Sequence, residues 1–221
     1  WLRRSIGFLF PDLMGTVLTP KADELVADHM RHGGKQEAAD FFEDGFLKVF
    51  TQIKADADLS VPATVFYAFK QSETEGEDGD AASTGWEKML TGIVRSGLTI
   101  TATWPMRTEM ANRTRGQESN ALASSVVIAI RRRSKSASAT DRRGFMSALR
   151  IQLPQAMRSL QQGAIAPVDM SQAAIGPGMG IYSSYSKVIE TDGSEMTVRT
   201  ALSLINQTLF ETLSEQEGDF D

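Results

Sequence analysis

Apolar residues recur every three or four positions from Ala38 to Ile53, where Ala38, Ala39, Phe42, Phe46, Val49, Phe50 and Ile53 lie among Glu37, Asp40, Glu43 and Lys48. That spacing predicts a helix with one apolar face. Val61-Pro62 then introduces Ala63 to Phe69, a short run rich in β-branched and aromatic residues, expected as a buried strand that ends near Lys70. Gln71 to Ser83 is acidic and contains glycine, the pattern of a solvated loop. Thr84-Gly85-Trp86-Glu87 has the spacing of a capping box. The helix it opens turns Met89, Leu90, Ile93 and Val94 inward and stops at Gly97, a residue suited to the left-handed conformation of a C-terminal cap. Leu98 to Thr103 alternates in the manner of a strand, with Trp104-Pro105 read as packing plus a rigid turn or as a site element. A polar stretch from Arg107 to Asn120 leads to a further strand, Leu122 to Ile130, expected to pair with the previous one.

Helix, strand, helix, strand, strand is the order of an α/β fold, here read as the late strands of a partial Rossmann-like, doubly wound sheet with an antiparallel pair. The character changes after Arg133. Ser134 to Thr140 reads as a polar linker, followed by helices at Asp141 to Gln162, Val168 to Ile175 and Thr197 to Glu215. Pro154 should bend or interrupt the first of these. The expected division is therefore an α/β part over 1–133 and a helical C-terminal extension over 134–221.

Composition narrows the chemistry. With 221 residues and 41% hydrophobic side chains the chain can bury a substantial core. A net charge of -5 argues against indiscriminate nucleic-acid binding, although a local basic face can coexist with a negative total. The absence of cysteine removes disulfides, thiol catalysis and Cys-ligated zinc together. His29 and His32 are the only imidazoles, and without further ligands nearby they read as a solvated helix end rather than a metal site. No apolar run reaches the length of a membrane span, so a cytoplasmic location is the default expectation. The opening Trp1-Leu2-Arg3-Arg4, with no initiator methionine, suggests missing upstream sequence.

Several uncommon strings occur in a telling order: Thr64-Val65-Phe66-Tyr67-Ala68-Phe69-Lys70, then Gly85-Trp86, then Thr103-Trp104-Pro105-Met106-Arg107-Thr108-Glu109, then Asn120 to Val127. Ile165 to Asp169, Ala174 to Met179 and Met196 to Leu202 follow. Together they resemble the C-terminal portion of large adenine-specific DNA methylases that carry a zinc-ribbon segment elsewhere, and the resemblance spans nearly the whole chain. It implies a class I methyltransferase sheet that uses S-adenosylmethionine to methylate the exocyclic amine of adenine in DNA. Such enzymes carry a glycine-rich cofactor loop after the first strand and an Asp-Pro-Pro-Tyr-type motif that holds the flipped base. Neither is present. The seven prolines, Pro11, Pro20, Pro62, Pro105, Pro154, Pro167 and Pro177, include no adjacent pair. In the family, the opening Trp-Leu-Arg-Arg lies just downstream of the catalytic motif. The expectation is thus a fragment that neither binds cofactor tightly nor catalyses by itself, with DNA as partner of the full-length protein, no membrane partner, and a helical extension that meets DNA or another protein. The alternative is an interaction module of a modification or defence system.

Ligands of a parallel α/β sheet gather at the carboxyl ends of its strands. By that rule Lys70 leaves one such end and Trp104, Arg107 and Glu109 leave another, so all four are substrate-binding candidates on one shared edge. Arg113 and Arg115 are placed to reach phosphates, with plain solvation as the alternative. Arg131, Arg132 and Arg133, with Lys135, Arg142 and Arg143 close by, form the strongest positive run and read as a DNA-backbone track or as a solvated strand end. Gly176-Pro177-Gly178-Met179-Gly180 reads as a helix stop and tight turn, or as a phosphate cradle. Asp169, Glu190 and Asp192 lack a paired partner at fixed spacing and carry no acid-base expectation.

Overall fold

A computed structural model describes residues 2–14, 24–58, 60–68, 84–107, 124–162 and 170–218. The chain divides into two compact units, residues 1–45 and 46–221. In the smaller unit, short helices α1 (Leu2–Ile6), α2 (Pro11–Met14) and α3 (His29–His32) precede α4 (Lys35–Asp56), within which the unit boundary falls. Asp28 caps α3 by accepting from the Met30 N–H at 2.9 Å, and Gly33, at φ 82°, ends it in the left-handed region. His32 stacks on Phe41 with ring centroids 4.0 Å apart.

The larger unit is mixed α/β, mostly helical around a small antiparallel sheet. Its first elements are β1 (Ala63–Ala68), α5 (Thr84–Arg95), β2 (Leu98–Arg107) and β3 (Ser124–Arg132). Gly97, at φ 80°, provides the expected turn between α5 and β2. The sheet has the order β1-β3-β2, and β3 runs antiparallel to both neighbours. The two expected strands at Ala63 and Leu98 therefore run the same way without touching, because β3 lies between them. β2 extends four residues beyond the Thr103 end read from the sequence. It is an edge strand, and Thr103 N faces out of the ladder, as its approach to a neighbouring helix shows. Two residues on, Pro105 falls at the same outward phase, so its missing N–H removes no ladder bond.

One face of this sheet is the core. Val65, Tyr67, Ile100, Val126, Ile128 and Ile130 turn toward Phe50 of α4 and toward Trp86, Met89, Leu90 and Ile93 of α5. The Tyr67 and Trp86 rings lie 5.7 Å apart across that contact. The four α5 residues follow the three-and-four spacing that places them on one face, which is why the expected amphipathic helix is here.

The chain continues through β4 (Thr140–Asp141), α6 (Arg142–Gln162), α7 (Met170–Ser184), β5 (Val188–Ile189) and α8 (Val198–Gly218). β4 and β5 form a two-residue parallel pair, and Arg142 meets Glu190 at 3.0 Å beside it. Leu153 and Met157 of α6, Ala174 of α7 and Leu209 of α8 share a second buried cluster. α6 runs through Pro154 without a break. The carbonyl that the proline leaves without its helical donor belongs to Arg150, an exposed residue.

The glycine string at 176–180 is a correction of substance, because it lies inside α7 and not in a turn. α7 lies along the open edge of β2, and the glycines let its backbone come close. A Cβ on Gly176 would stand 2.6 Å from Thr103 N, and one on Gly180 would stand 3.0 Å from Ile100 O. Polar groups of the strand edge are met from the helix: Ile100 N–H donates to Ser183 Oγ at 3.0 Å, and Thr99 Oγ1 donates to the Ser183 carbonyl at 3.1 Å. Pro177 has no N–H for the Ala173 carbonyl, which instead accepts from Thr103 Oγ1 at 3.2 Å. Helix and strand edge thus complete each other's hydrogen bonding, a standard way of covering an edge strand. The Ser134–Thr140 linker accordingly lies within one compact unit spanning residues 46–221.

Candidate functional site

The second face of the sheet is open. Register fixes its membership, since residues directly opposite in an antiparallel pair project to the same side. Phe66 and Trp104 both lie opposite Val127, while Thr64 and Ala102 both lie opposite Ala129, and Met106 lies opposite Ser125. Phe66 is 69% exposed, Trp104 45% and Met106 44%, whereas Val127 is buried between the two aromatic residues. Arg131 follows Val127 and Ala129 at the two-residue period of β3 and so belongs to this face.

The expected common edge is present for the strand ends. Ala68 and Met106 both lie opposite Ser125, so β1 and β2 finish at the same end of the sheet. Trp104 stands three residues before the end of β2, exposed on the open face, with Arg107 as the last residue of that strand opposite Ser124. Lys70, Glu109, Arg113 and Arg115 lie outside the described residues. The sequence does not single out Phe66, because Ala63 to Phe69 is apolar on both phases, which signals burial on both faces. Its exposure follows only from the register against β3.

The basic run has local structural partners. Arg131 Nη1 donates to Ser60 O at 2.5 Å, and Arg132 Nη2 donates to Lys54 O at 2.6 Å in the last turn of α4. Arg133 is the most committed. Its Nη2 donates to Val94 O at 2.7 Å near the end of α5, its Nη1 donates to Ser186 O at 3.2 Å, and its backbone N–H donates to Gly97 O. Helix C-terminal carbonyls lack intrahelical donors and carry partial negative charge, so a guanidinium fork suits them. Burial lowers the Arg133 pKa, partly offset by Tyr182 and Glu195. Arg131 and Arg132 remain exposed, while Arg133 is drawn into the junction of α5, β2 and the segment after α7.

Beside that junction, Tyr182 OH donates to Met196 O at 2.6 Å and packs edge-on against Phe145. Burial, reinforced by Glu195, pushes the phenol up to about 12. Asp192 accepts from the N–H and hydroxyl of Ser194, which hold its carboxyl below the usual range. These bonds make a turn. Among the described residues no three His, Asp or Glu side chains gather as a metal site, and no described helix is long and apolar enough to cross a membrane.

A glycine-rich cofactor loop would follow a strand, whereas Gly176, Gly178 and Gly180 lie inside α7. These three glycines face Thr103, Ile205 and Ile100 at packing distance, so the string serves the contact between α7 and its neighbours. Comparison with family models, with curated proteins and with solved structures finds no match.

Proposed function

We propose that this chain is the C-terminal part of an S-adenosylmethionine-dependent DNA adenine N6-methyltransferase, contributing the late strands of a Rossmann-like catalytic sheet and a helical extension. The reading rests on the ordered resemblance of its short strings to adenine-specific DNA methylases. The observation that best supports it is the common finish of β1 and β2, whose residues Ala68 and Met106 both lie opposite Ser125. In parallel α/β sheets ligands collect at the carboxyl ends of the strands, and β1 and β2, which run the same way, share that end here although β3 between them is antiparallel. In this reading, cofactor binding and the chemical step belong to sequence outside these residues, and the chain alone transfers no methyl group.

The test is transfer of a labelled methyl group from S-adenosylmethionine to duplex DNA by the protein of which this chain is part. Label on adenine N6 supports the assignment. Transfer to a protein or small molecule, with none to DNA, overturns it. A second reading, an interaction module of a modification or defence system, draws on the exposure of Phe66, Trp104 and Met106 on one face.

A further inference from the structure

The open sheet face combines aromatic exposure with a one-signed charge. β1, β2 and β3 contain no Asp or Glu, although acidic residues outnumber basic ones in the chain by 28 to 23. Their ionisable positions other than Tyr67 are Arg107, Arg131 and Arg132, of which Arg131 falls on the open face. The sequence places no aromatic residue within the arginine run, but the fold brings Phe66 and Trp104 onto the face that also holds Arg131. Two strand spacings separate the backbones of β1 and β2, so Phe66 and Trp104 start roughly 10 Å apart across Val127. Arg131 starts about 13 Å from Val127 along β3, at four residues of strand rise.

We propose that this face binds a single-stranded stretch of nucleic acid, with bases stacking on Phe66 and Trp104 and the phosphate backbone running toward Arg131. An exposed π-face on a sheet accepts any base, and the arginine supplies the counter-charge. The strand must be unpaired, because bases inside a duplex already cover one another's faces. The exposed Arg131, on a face whose three strands carry no carboxylate, favours a polyanion over an apolar protein segment, which would draw nothing from that charge. The exposed Thr64 adds a hydroxyl that suits a hydrated polar ligand better than a dry helix face. The proposal deepens the preceding one by giving the nucleic acid a surface, and it rests on that reading for the partner's class. It is scored by binding without methyl transfer, so either can fail while the other stands.

The experiment is fluorescence anisotropy of labelled oligothymidylate against the whole chain at low and at physiological salt, with circular dichroism melts of every variant. Phe66→Ala and Trp104→Ala each weaken binding between about fivefold and hundredfold, the range that stacking of one base spans. Phe66→Tyr and Trp104→Phe, which keep a ring, retain affinity close to the parent. Phe66→Leu keeps apolar area without a π-face and binds as weakly as the alanine variant. Arg131→Gln lowers the salt slope by about one. A duplex of matched length competes poorly. No binding at low salt, equal affinity for duplex, or a Phe66→Leu variant that binds like the parent overturns the proposal. So does concentration-dependent self-association that Trp104→Ala abolishes while oligonucleotide binding is absent.

Discussion

Gly176→Ala tests the contact that joins the helical part of the chain to the sheet. The added methyl would sit 2.3 Å from Thr103 Oγ1, 2.6 Å from Thr103 N and 2.9 Å from Thr103 Cβ. The hydroxyl can rotate away, but the backbone nitrogen is fixed by the strand, so α7 must move outward. Forced overpacking of this kind costs about 1–3 kcal/mol. Outward movement also stretches two bonds, Thr103 Oγ1 to Ala173 O and Ile100 N to Ser183 Oγ, each worth about 1 kcal/mol. Against this, alanine is preferred over glycine inside a helix by about 1 kcal/mol. The balance is a net loss of about 1–3 kcal/mol, which for a domain of this size lowers Tm by roughly 2–10 °C. Differential scanning calorimetry reads it directly. Gly85→Ala is the comparison, because its methyl meets only the Tyr67 hydroxyl, at 3.1 Å, and should cost less. A Gly176→Ala melting point equal to or above the parent would show that α7 does not lie on the β2 edge as described.

Three further outcomes follow from the same contacts. Thr103→Val keeps the shape but leaves the Ala173 carbonyl without a donor in a buried place, and should cost about 1–3 kcal/mol in a urea titration, with no change if that carbonyl finds water. Arg133→Lys keeps charge but cannot span Val94 O and Ser186 O together, so it should destabilise by about 1–2 kcal/mol and speed amide exchange at Gly97 and Arg133. The Tyr182 phenol is raised in the folded state, so its contribution to stability is complete below pH 10 and lost as pH rises toward 12. Tyr182→Phe should flatten that alkaline limb in pH-dependent melts, and an unchanged limb would place the titration elsewhere.

Much of the fold is legible in the sequence, because the strongest periodicities decide it. The α4 and α5 patterns carry their three-and-four spacing, and Gly97 supplies the turn at φ 80°. The β2 and β3 runs alternate or branch as strands do. Two features were not legible. The glycine string at 176–180 obeys the local rule for a stop, yet tertiary contact overrides it, since only residues without Cβ permit α7 to approach Thr103 and Ile100 so closely. Strand order is the other. A helix between β1 and β2 suggests neighbours in a wound sheet, but β3 enters between them, and no local signal in any strand encodes that insertion. The candidate site shares this limit. Trp104 announces itself as an isolated tryptophan before a proline, while Phe66 hides in a uniformly apolar run until pairing shows which side it faces. The arginine run is visible in the sequence as a concentration of charge, but its local use as a set of carbonyl clamps depends on where α4 and α5 end.

The proposed contact of nucleic acid with the open face of the three-stranded sheet can be read directly. Photocrosslinking of an oligonucleotide carrying 5-iodouracil, followed by mass-spectrometric mapping of the adducts, reads the contact residue by residue. Adducts at Phe66 and Trp104, suppressed by excess unlabelled single strand, are the expected result. Adducts confined to α6, α7 or α8, with both aromatic residues unmodified, would contradict it.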